Sequence, residues 1–222
     1  MSLLVRAAAL TNYSEVARAA GLDPVRMMMD AGISPSVLRE PDLMIPVERY
    51  GRLLQTSATM SGNESFGLAM AESRLLSNLG AVGMLIRDQA TLRDSLTLLM
   101  RYQPLLNGAQ SLAVEDCGGR VIIREVLIAG NAHQPTRQRV ELALGVMVRL
   151  IRQLIKADWQ PQRVCLEHPA PHDLSAHHRF FGPHVEFDCD FNGIICAKAD
   201  LDARNPWADP AMARYAQQLI DE

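Results

Sequence analysis

Reactive side chains gather late in the chain. The stretch HPAPHDLSAHHRFFGPHVEFDCD holds His168, His172, His177, His178 and His184, five of the six histidines, with Asp188, Cys189 and Asp190 close behind. Imidazole, thiol and carboxylate are the ligands zinc takes, so a metal is the first chemistry to weigh. A zinc site needs three or four ligands converging on one point, most readily from a pair such as HExxH on one helix, and no spacing here supplies one. Prolines separate His168 from His172, which therefore do not share a helix face. The segment reads as structural, and neither a metal nor a cofactor is expected. Cys117, Cys165, Cys189 and Cys196 make neither a CxxC pair nor a secreted disulfide framework, so reduced core thiols are the expectation. There is no GxSxG elbow, and the glycines of GAVG and CGGR make no phosphate loop, so no catalytic residue is assigned.

Polar residues set among apolar ones point instead to binding. Arg124 and Glu125 interrupt VIIREVLI, and because neighbours on a strand point to opposite faces, one of the two must face the interior or a pocket. Arg124 is the expected anchor for an acidic effector, since guanidinium pairs bidentately with carboxylate and the strand interior holds no other basic residue. Glu141, on the adjoining helix, or a backbone carbonyl is its expected partner when no effector is bound. Tyr102 and His133 lie on segments expected to abut the same hairpin. Arg124, Tyr102, His133 and Glu141 are thus the candidate effector-binding residues, and the expected pocket lies between the helix and strand 120–128.

The element that must position them is QPTRQRVELALGVMVRLIRQLIKAD, residues 134–158. Val140, Leu144, Met147, Ile151 and Leu154 recur at steps of four and three, with Leu142, Val146 and Leu150 widening the stripe. This predicts a long central helix with Pro135 in its first turn. Arg137, Glu141, Arg149, Arg152 and Lys156 fall on the other side, which is expected to meet water or a partner. Before it, Asp116-Cys117-Gly118-Gly119 joins strands 111–115 and 120–128 into a hairpin. After it come strands at 163–167, 184–187 and 193–199, with helices at 174–181 and 210–220. Residues 1–107 read as helices throughout, including a helix-turn-helix outline over 14–31 in which Asp23 caps and Pro24 opens the second helix. That helix offers Met27, Met28 and Met29 rather than polar side chains to a base edge, so it is read as a packing hairpin. The fold expected is α+β, a helical N-terminal half packed on a mixed, largely antiparallel sheet around the long central helix.

Composition narrows the partners. A net charge of −3 on 222 residues argues against this segment holding nucleic acid by itself. No apolar run is long enough for a membrane span and no leader is evident, so a cytoplasmic protein is expected.

GLDPVRMMMDAGISPSVL, MIPVERYGRLL, SFGLAMAE and GAVGMLIRDQATLRDSLTLLMRYQPLL, followed by VCLEHPAPHDLSAHHRFFGPHVEFDCDFNGI, resemble the N-terminal effector domain of AraC-type transcriptional regulators, in the subfamily with ornithine- and arginine-responsive activators. The resemblance covers nearly the whole chain. It implies one effector-binding and dimerisation domain over 1–222, to which the reading of the residues adds a helical part over 1–107 and a β-rich part over 108–222. It implies a small-molecule effector, a homodimer, and DNA contact only through a C-terminal helix-turn-helix domain absent from this chain. No family motif fixes the ligand residues. The alternatives from other classes are a small metal- or thiol-dependent enzyme and a dimerisation module without a ligand.

Overall fold

The computed structural model describes residues 3–128 and 137–221. Seven strands and ten α-helices build it: β1 Leu4–Arg6, α1 Tyr13–Ala19, α2 Pro24–Asp30, β2 Met44–Pro46, α3 Val47–Ser61, α4 Phe66–Ala71, α5 Ala81–Arg87, α6 Leu92–Leu106, β3 Gln110–Cys117, β4 Arg120–Leu127, α7 Arg137–Leu154, β5 Arg163–Cys165, α8 Ser175–Phe181, β6 Val185–Glu186, β7 Asn192–Ala197, α9 Lys198–Asp202 and α10 Pro210–Asp221. The fold is α+β, with a five-stranded sheet in the order β3-β4-β7-β5-β6. Its pairs are antiparallel except β5 with β6, which is parallel.

Helix α7 is the core of this arrangement. Eleven of its residues are buried, from Gln138 to Ile151, because α3 and α4 cover one side and the sheet covers another. The closest approach is to α4. A Cβ on Gly67 would stand 2.1 Å from the Gln138 carbonyl oxygen, and one on Gly145 would stand 2.5 Å from the Ala71 Cβ. Only glycine permits both contacts. The side expected to meet water is therefore not wholly exposed: Glu141 is fully buried, a correction that follows from helices closing over both flanks of α7.

Local chemistry sets the smaller elements. Asp23 caps α2 by accepting from the Val25 and Arg26 amides, while Thr91 caps α6 by accepting from the Asp94 amide. Met27 and Met28 are buried, so the second helix of the hairpin 14–31 commits two of its three methionines to packing. Two readings are corrected. The first hundred residues contain a strand pair, with Val5 opposite Ile45, and residues 198–202 turn into a short helix instead of prolonging β7. Three-residue strands carry too little period-2 pattern to stand out from flanking helical sequence.

Candidate functional site

Along β4 the side chains alternate, with Val121, Ile123 and Glu125 buried on the face toward α7. Arg124 takes the other face. Its Nε and Nη2 donate to the two carboxylate oxygens of Glu115 at 3.0 and 3.3 Å, and its guanidinium lies 4.5 Å from the Phe191 ring centroid. The expected anchor is thus turned away from the interior, held by a neighbouring strand and an aromatic ring. Both faces of β4 carry Val or Ile, so hydrophobic alternation could not decide which row points in.

A cavity of about 120 Å³ does lie between α7 and β4, closed by α6 and by the chain segments around Val5 and Arg74. Its wall is mainly apolar, with Leu99, Leu127, Leu142, Val146, Met147 and Leu150 among the contributors. Set into this wall are Arg74, Arg139, Gln103 and Glu125, each at most 8% exposed.

The two arginines have few partners. Arg74 donates from Nη1 to the Ala8 carbonyl at 2.6 Å and from Nη2 to the Ala9 carbonyl, while Arg139 reaches the Ala109 carbonyl from Nη2 at 3.4 Å. The Nε of each is buried without a hydrogen-bond partner among the described residues, and neither arginine forms a salt bridge there. Burial pulls both guanidinium groups below the ordinary arginine range, opposed by the coulombic influence of Tyr50, itself pushed up by burial, and for Arg139 also of Glu48. Glu125 does not neutralise them. Burial pushes its carboxyl up to about 7 against the Gln110 amide, which donates to it at 2.8 Å. The cavity therefore combines two desolvated cations with an acid whose charge its surroundings disfavour, an environment short of negative charge.

The other expected residues lie elsewhere. Tyr102 is buried on α6 outside the cavity wall, and its hydroxyl accepts from the Gln217 amide at 2.6 Å. Glu141 faces the histidine-rich segment, not Arg124: its Oε1 accepts from Arg137 Nε at 3.1 Å and stands 3.3 and 3.2 Å from the Nε2 atoms of His168 and His177. His133 lies outside the described residues. Arg74 and Arg139 were missed because an arginine on a helix or loop reads as solvated. The available signal was the row Arg139, Leu142, Val146, Leu150 at helical spacing, which places this arginine on the apolar face.

Residues 21–205 match the family model described as the arabinose-binding domain of AraC transcription regulators, N-terminal. The chain belongs to this family. It is 30% identical over 221 residues to the HTH-type transcriptional regulator VirS from two strains of Mycobacterium tuberculosis, a match covering 98% of this chain and 64% of the relative. The chain thus spans a little under two thirds of the length of the curated relatives it matches. The crystal structure of the transcriptional regulator CdpR from Pseudomonas aeruginosa superposes with a TM-score of 0.64 at 18% identity, covering 87% of this chain and 61% of that one. At that identity the likeness is one of fold. Family and relatives are regulators by description, which points away from an enzyme. No helix among the described residues is long and apolar enough to cross a membrane.

Proposed function

We propose that this AraC-family domain senses a small organic anion held in the cavity between α7 and β4 by Arg139 and Arg74. The observation that carries the reading is the pair of guanidinium groups, 5% and 4% exposed, set in an apolar wall with unpartnered Nε atoms. Keeping such cations buried without a salt-bridged counter-charge is costly, and a carboxylate supplies both charge and acceptor lone pairs. Arg139 takes the role that the sequence suggested for Arg124. The body of the effector would lie along Leu142, Val146 and Leu150, which favours a compact acid with an aliphatic stem. The ornithine- and arginine-responsive subfamily belongs to the same proposal. An amino-acid effector would present its carboxylate to the arginines and its amine to Glu125 or Gln103.

In the complete regulator, occupancy of the cavity would bias the domain between two states and so control a C-terminal helix-turn-helix unit that contacts DNA. A homodimer is included in this reading. A thermal-shift screen of small carboxylic acids and amino acids tests it. At least one acid should raise the melting temperature in a concentration-dependent way, and the shift should vanish in Arg139→Met. A screen in which no acid shifts the melting temperature would favour the ligand-free dimerisation module instead, and hits that survive in both Arg139→Met and Arg74→Met would place the acid away from the two arginines.

A further inference from the structure

We propose that Cys165, Cys189 and Glu186 form a binding site for a thiophilic divalent cation of the zinc type, separate from the effector cavity. The three ligand atoms lie within 4.8 Å of one another, and none of the three residues lines the cavity. Residues far apart in the sequence meet here because of the sheet. Cys165 ends β5 directly opposite Glu186 in the parallel pairing with β6. Backbone bonds from the Asp188 amide to the His168 carbonyl at 3.2 Å and from the Cys189 amide to the Leu166 carbonyl at 3.0 Å fold the following residues back over the end of β5. Asp188 takes a positive φ of 53° to make that turn. No spacing motif announces this site, which is why a search for paired ligands in the sequence passes over it.

The donor set fits the ion. Zinc holds thiolate at about 2.3 Å and carboxylate at about 2.0–2.2 Å, so tetrahedral ligand atoms stand roughly 3.5–3.8 Å apart. Closing the present triangle to that size needs shifts of about an ångström, and Glu186 and Cys189 are the mobile partners, being exposed and half-buried where Cys165 is buried. Two thiolates and one carboxylate also balance the ion together with Arg163, whose Nη1 donates to Glu186 Oε2 at 3.2 Å. Solvent completes the fourth position. Binding forms two metal–sulfur bonds and releases one proton from each thiol to solvent, with no change of oxidation state.

Cadmium is the probe, because its thiolate complexes absorb in the ultraviolet through sulfur-to-metal charge transfer. Reduced, chelator-treated protein titrated with Cd²⁺ should develop that band to one equivalent and lose it to excess Zn²⁺. Cys189→Ser should bind at least about tenfold more weakly, Glu186→Gln should weaken binding less, and Cys117→Ser, at an exposed cysteine, should leave it unchanged. Should Cys189→Ser fail to fold, Glu186→Gln, at an exposed side chain, carries the comparison. No saturable band, a band of full strength in Cys189→Ser, an affinity unchanged in Glu186→Gln, or prompt conversion of the pair to a disulfide with cadmium unbound would each overturn the proposal.

Discussion

Arg139 and Glu141 stand two residues apart on α7, both buried, and face opposite surroundings. Glu141 looks into a region that supplies it with an ion-pair partner. Arg137 Nε donates to it, the imidazoles of His168 and His177 approach it, and Arg137 reaches on to Glu64, whose other oxygen accepts from the His172 amide at 2.8 Å. Phe187 packs against both imidazoles, with centroids 5.6 and 5.4 Å away. Arg139 looks into an apolar cavity in which a second cation stands nearby and the acid in the wall is disfavoured as an anion. Buried polar atoms without hydrogen-bond partners among the described residues occur on both sides, Glu141 Oε2 and the His177 ring nitrogens included, so what separates the two charges is the ion pair that Arg137 gives Glu141. A charge balanced by neighbours in its own chain ties the fold together, while one left short of a counter-charge beside a cavity is a place for a ligand.

The contrast can be broken by substitution. Removing the compensated charge should do the most damage: Glu141→Ala leaves Arg137 and two imidazoles facing a buried void, and should cost about 3–5 kcal/mol of unfolding free energy. Urea titration checks this, and a loss below about 1 kcal/mol would make the histidine side as dispensable as a surface pair. The next largest effect should come from Glu125 through pH. Its folded carboxyl sits near 7 against an ordinary value of 4.5, so the folded state keeps a proton that the unfolded state has lost. Its stabilising influence is complete below about 4.5 and declines as pH rises through about 7, by roughly 3 kcal/mol in total. Glu125→Gln should flatten that region of the stability profile, and an unchanged slope would place the titration elsewhere. The smallest effect belongs to Arg124, on the outer face of the sheet with Glu115. Arg124→Met should change stability by less than about 1 kcal/mol and leave effector binding intact.

Much of the architecture was legible because long periodic segments declare themselves. Helix α7 and the hairpin of β3 and β4 follow from apolar spacing and from the Asp116–Gly119 turn. The region of the cavity, between that helix and that strand, followed from the same elements. Which residues line it did not follow. The choice between Arg124 and Glu125 turns on strand parity alone, and Ile122 and Val126 on one face answer Val121 and Ile123 on the other. Arg74 is contributed by a short irregular segment whose burial depends on the carbonyls of Ala8 and Ala9, and no local pattern encodes that contact. Glu141 was placed on the charged side of its helix, toward water or a partner, and paired with Arg124. The histidine segment that closes over it comes from more than twenty residues further along, a tertiary contact that periodicity cannot express.

The central claim is that Arg139 holds the charge of an anionic effector, and calorimetric titration of a carboxylic acid hit beside its neutral amide tests it most directly. The acid should lose about 2–5 kcal/mol of affinity on Arg139→Met, the amide should bind both proteins equally weakly, and the variant should be as stable as the parent or more so. An acid that binds Arg139→Met as tightly as it binds the parent would contradict the account.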